Sequence, residues 1–173
     1  MKKILINTII IFMISVLIYG TYHYLPLIPT AIFFPLNDSL WEGLKLVFTS
    51  YMIFIIFKLL FFRKTDKNII LNYLISAIIN MIILLVVFIP FHFTYMNRFI
   101  FVIIFYLLSI FLSTYIVLKL KLDKKIIIKK YNFVILTTIF GIYLILDLFT
   151  FIPINYKIFI SSNNTKGIHY KIP

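Results

Sequence analysis

The sequence predicts an all-α, polytopic transmembrane bundle of about five helices. Three observations carry this: an excess of apolar residues, their division into runs long enough to cross a bilayer as helix, and the confinement of basic residues mainly to the gaps between runs. Of 173 residues, 63% are hydrophobic and 13% charged, and the mean hydropathy is +1.09. Soluble domains are nearer about half apolar and about a quarter charged. Lipid therefore has to serve as part of the solvent. The chain is expected to be one membrane domain over residues 1–173.

The spans are expected at about 4–22, 40–62, 69–89, 99–118 and 131–152, each long enough for roughly 30 Å of hydrocarbon. Ile, Val and Phe dominate them and would favour strands in water. In lipid every backbone group has to be satisfied within the segment, which overrides that preference. The first run follows Met1-Lys2-Lys3, as in a signal peptide. No small-residue cleavage site follows, so it reads as an uncleaved span. Residues 23–38 form a loop that is apolar but holds Pro26, Pro29 and Pro35. Prolines at this density are expected to prevent a regular helix, and the segment is read as lying along the interface or dipping in as a re-entrant element. The tail 153–173 is expected to be a partly ordered flap with a turn at Gly167.

Charge gives the spans a direction. Lys2, Lys3, Lys58, Arg63, Lys64, Lys67, Lys119, Lys121, Lys124, Lys125, Lys129 and Lys130 fall on one side. Lys45, Arg98, Lys157, Lys166 and Lys171 fall on the other. The positive-inside rule then predicts a cytoplasmic N-terminus and an outside tail, in the cell membrane of what reads as a bacterial protein. The net charge of +12 is accordingly assigned to anionic headgroups on the cytoplasmic side and not to nucleic acid, because no basic face separates from the apolar spans. There is no cysteine, which removes disulfides, thiolate metal sites and cysteine nucleophiles. No phosphate-binding glycine loop, His-Glu-x-x-His or Gly-x-Ser-x-Gly occurs. Neither a cofactor nor a metal site is expected.

The densest polar stretch runs from Pro35 through Lys45. Its structural reading is a capping box, with Ser39 and Glu42 satisfying backbone donors at a helix start. Asp38 and Glu42 would suit the positive end of the helix dipole, and Trp41 would anchor at the interface. Its functional reading notes Asn37, Asp38, Glu42 and Lys45 crowded at the mouth of a span, able to meet an anion, or with a histidine to hold a metal or move a proton. Asp147 lies five residues before the end of the fifth span, about 7–8 Å at the helical rise. It either reaches to the interface or faces inward to pair with Lys45 or His23. His23, among Tyr19, Tyr22 and Tyr24, and His92, beside Phe91 and Phe93, fit an aromatic belt equally well. Asn72, Ser76 and Asn80 share one face of span three at i, i+4, i+8. That stripe reads as interhelical hydrogen bonding or as a polar pathway. Ser109 and Ser113, and Thr137 and Gly141, repeat the spacing, and their faces are expected to point inward.

The motif Pro35-x-Asn37-Asp38-Ser39-x-Trp41-Glu42, preceded by Gly20-x-x-His23, resembles an uncharacterised family of small bacterial multi-pass membrane proteins. That family's pattern reads Pro-Val-Asn-Glu-Ser-x-Trp-Glu-His-Leu-Lys. Leu36, Asp38 and Gly43 stand here where it has Val, Glu and His. The tail also resembles the family's C-terminal end at Phe149-Thr150-x-x-Pro153, Ile158-Phe159 and Gly167. The resemblance covers both ends and little of the middle. It implies a shared fold and no established activity. Were the family's His a ligand, Gly43 would remove it. Three functions remain open at this level. One is a structural or partner-binding subunit, meeting another membrane protein or a second copy. Another is a small-molecule or ion binding or transport protein with an outward-facing pocket whose polar end would be His23, Glu42, Lys45 and Asp147. The last is an interfacial enzyme using Glu42, Asp147 and His23.

Overall fold

The computed structural model describes residues 1–61, 68–95, 99–120, 132–161, 165–167 and 170–171. Among the described residues, five helices are long and apolar enough to cross a membrane: α1 (Lys2–Tyr19), α4 (Leu40–Phe61), α5 (Ile69–Tyr95), α6 (Phe99–Leu120) and α7 (Asn132–Phe151). Two short helices, α2 (Thr21–Tyr24) and α3 (Ile28–Phe33), join α1 to α4. Beyond α7 come a 3-10 turn, Lys157–Phe159, and a two-residue antiparallel ladder pairing Thr165 with Lys171 and Lys166 with Tyr170.

Four of the long helices close a ring. α1 packs on α4 and α6, and α5 packs on the same two. α7 stands outside the ring, against α4 and α3. This makes α4 the central helix, with one face turned into the ring and another toward α3 and α7. Leu44, Val47, Phe48, Tyr51, Phe54 and Ile55 of α4 are all buried. On α7, by contrast, Phe133, Leu136, Phe140, Leu144 and Leu148 are exposed apolar side chains.

The proline-rich segment departs from expectation. It holds a regular helix, α3, because Pro29 falls in the first turn, where a missing N–H costs nothing. Thr30 completes that turn by accepting the Leu27 N–H at 3.0 Å. Pro26 and Pro35 flank the helix and set its length. α3 is applied to the bundle, with Ala31 buried.

The capping box forms only in part. Ser39 Oγ accepts the Glu42 N–H at 3.3 Å, but the Ser39 N–H goes to Asn37 Oδ1 at 2.9 Å, an Asx-type turn. Glu42 is thereby released and turns back to the Leu36 N–H at 3.1 Å. The turn at Gly167 has φ +56°, and a Cβ there would lie 2.7 Å from the Thr150 carbonyl oxygen. Only glycine allows the tail to approach the end of α7 so closely.

Candidate functional site

Three of the four residues marked by sequence as the polar end of a pocket meet at one end of the molecule. Glu42, Lys45 and Thr49 lie along a single face of α4, at i, i+3 and i+7. Opposite them are α3 and the last turns of α7. The Lys45 ammonium, with 0% of its side chain exposed, donates to the Ala31 carbonyl at 2.9 Å. It pairs with Asp147 Oδ1 at 3.2 Å and lies 3.7 Å from Glu42 Oε2. The Asp147 contact has the distance of an ion pair but not hydrogen-bond alignment, so the Ala31 carbonyl is the best-directed acceptor. Glu42 Oε1 accepts the Thr150 hydroxyl at 2.7 Å, and Oε2 accepts the Leu36 N–H.

A second layer continues the face. Thr49 donates to the Phe33 carbonyl at 2.6 Å and accepts the Tyr143 hydroxyl at 3.2 Å. Trp41, expected as an interfacial anchor, points inward instead. Its indole N–H donates to the Leu146 carbonyl at 2.9 Å, and its ring meets Phe149 and Phe159, each at 5.0 Å. The indole N–H needs an acceptor when buried, and a carbonyl in the last turn of α7 supplies one. Thr49 and Tyr143 escaped the sequence reading, and Thr150 entered it only in the tail resemblance and not as a partner of the cluster. Their signal was spacing alone: Thr150 follows Asp147 by three residues, and Thr49 follows Lys45 by four.

His23 does not join this cluster. It is exposed, edge-on to Tyr24, and among the described residues no ion pair or hydrogen bond links it to Glu42, Lys45 or Asp147. Asp38 is exposed, and Asn37 is half-buried beside it. The side chain of His92 lies outside the described residues, as do most of the basic residues used to assign direction. Among the described residues no three His, Cys, Asp or Glu side chains gather closely enough to hold a metal ion.

The second polar region is the interior of the ring. Asn72, Ser76 and Asn80 are all buried there, as are Ser109 and Ser113. Tyr51 Oη lies 2.8 Å from Ser113 Oγ and 3.4 Å from Thr114 Oγ1, which ties α4 to α6. Asn7 donates to the Tyr73 hydroxyl, which ties α1 to α5. Asn7, Thr8, Ser15 and Thr114 were not anticipated, although Asn7 and Thr8 interrupt an otherwise apolar first span. Several buried polar atoms of this region make no hydrogen bond and, unlike Asp147 Oδ1 in the charged cluster, have no ion-pair partner either: Asn7 Oδ1, Thr8 Oγ1, Asn72 Oδ1, Tyr106 Oη and both amide atoms of Asn80.

The Thr137 face turns outward, against expectation. Thr137 is exposed and satisfies its hydroxyl on its own helix, donating to the Val134 and Phe133 carbonyls at 2.9 and 3.0 Å. A threonine can close that bond within one helix, so its spacing does not demand a neighbour. Gly141 likewise has nothing within 4 Å of where a Cβ would stand. Compared with known proteins, the chain matches no family model, no curated protein and no solved structure.

Proposed function

We propose that the chain is a structural or partner-binding subunit of the bacterial plasma membrane, and that its charged cluster is an internal clasp. The observation that carries this reading is that Lys45 and Glu42, the two enclosed charges of the cluster, are spent on the chain itself. Lys45 is fully enclosed, and both Glu42 oxygens accept hydrogen bonds from the protein. A substrate pocket or an acid–base site needs a group left over for the ligand or the proton. The outward-pocket and interfacial-enzyme readings both relied on His23 as well, which stands apart. The clasp fastens α3 and α7 to α4, and so fixes how α7 presents its apolar side. The basic residues support a cytoplasmic N-terminus and an outside tail, which would put the clasp near the outer surface. The motif at 35–42 supports kinship with the uncharacterised family of small bacterial membrane proteins it resembles.

The partner in this reading is another transmembrane helix, seated on the α7 stripe of Phe140, Leu144 and Leu148. Photo-crosslinking residues placed singly at those three positions, in native membranes, test it. Protein adducts are expected from the α7 stripe and not from Leu17 or Val86, which are exposed on α1 and α5. Adducts to lipid alone, or equal capture at all five positions, would end the partner-binding reading.

A further inference from the structure

We propose that the interior of the four-helix ring at Asn80 is a binding site for a small neutral solute that both donates and accepts hydrogen bonds, such as an amide or a polyol. Asn80 is 0% exposed, and neither its amide nitrogen nor its oxygen makes an aligned hydrogen bond in the chain, although the Tyr51 hydroxyl stands close beside it. An orphaned amide in a low-dielectric interior is costly, and an apolar side chain of the same shape would avoid that cost. The position is nevertheless an asparagine in a helix otherwise dominated by Ile and Leu.

The neighbourhood is suited to such a ligand. Tyr51 lies ten residues before the end of α4 and Asn80 eleven after the start of α5. At the helical rise these are about 15 and 17 Å from the same end of the bundle, so the two face each other near its middle. The Tyr51 hydroxyl is paired with Ser113 and close to Thr114. One turn or two below on α5, Ser76 donates to its own helix at Asn72, whose side-chain oxygen is again unpartnered. Asn80 and the hydroxyls of Tyr51, Ser113 and Thr114 can each donate and accept. No charged side chain is among them. An ion would enter without a countercharge, whereas a neutral solute can satisfy the amide at both ends. The site owes nothing to α3, α7 or the charged clasp, so it stands or falls independently of the partner-binding reading.

The test uses the full chain in lipid nanodiscs, with acetamide and glycerol as probes and sodium and potassium chloride as ionic comparisons. Binding is read by saturation-transfer NMR and folding by the thermal melt. For the parent, transfer to acetamide or glycerol is expected. In Asn80→Leu the signal should fall at least fivefold while the melt stays at or above that of the parent. Ser113→Ala should weaken the signal severalfold, and this variant decides the matter if Asn80→Leu does not fold. The proposal is overturned by an absent signal in the parent, or by a signal unchanged in the variants. It is also overturned if sodium or potassium raises the melt of the parent in a way that Asn80→Leu abolishes, since the site would then be cationic.

Discussion

α4 carries polar groups on two faces, and they are packed under different rules. Toward α3 and α7, Glu42, Lys45 and Thr49 are engaged by a lysine–carboxylate pair, two carbonyls, a backbone N–H and two hydroxyls. Toward α1, α5 and α6, Tyr51 finds Ser113, but Asn80 and several atoms nearby make no aligned hydrogen bond. Charge is what separates the two faces. A buried ion left alone costs several kcal/mol, in order of magnitude, so folding must recruit partners for it from every adjacent element. An unpaired neutral amide costs about 1–3 kcal/mol, which a bundle can carry where the position serves a ligand. The charged face therefore reads as a joint, and the neutral face as a place with capacity to spare.

Substitutions on the two faces should differ in size accordingly. Lys45→Met is expected to be the most damaging, at about 3–5 kcal/mol, because it leaves Glu42 and Asp147 facing each other without a cation. A parent-like melting temperature in lipid would show that the cluster is no clasp. Asp147→Asn should cost less, about 1–3 kcal/mol, since the carboxyl is 17% exposed and Lys45 keeps the Ala31 carbonyl and Glu42. If it matched Lys45→Met, Asp147 and not Glu42 would be the main counterion. Ser113→Ala, on the neutral face, is expected to change stability by no more than about 1 kcal/mol, with Thr114 still beside the Tyr51 hydroxyl. A loss as large as that of Lys45→Met would erase the distinction between the faces.

Legibility along the chain followed the range of the interaction involved. Helix limits came within three residues for the long spans except at the end of α5, which runs to Tyr95 and not to 89, and the Ser39 cap was visible because cap and helix start are neighbours. The glycine turn at 167 was visible for the same reason. Trp41 was misplaced because an indole at a span's mouth looks the same whether it meets headgroups or the Leu146 carbonyl. Thr137 was misplaced because i, i+4 spacing says that residues share a face and not which way the face points.

What the sequence determined by itself was the class of fold, the number of membrane-length helices, and the residues able to carry charge or hydrogen bonds inside them. Hydropathy is a property summed along the chain, and it needs no knowledge of neighbours. The tertiary structure alone decided that Lys45 reaches Asp147 and Ala31, that His23 stays outside, and that Asn80 ends unpartnered. Those outcomes depend on the rotation and depth at which separate helices meet, which no single helix's own sequence specifies.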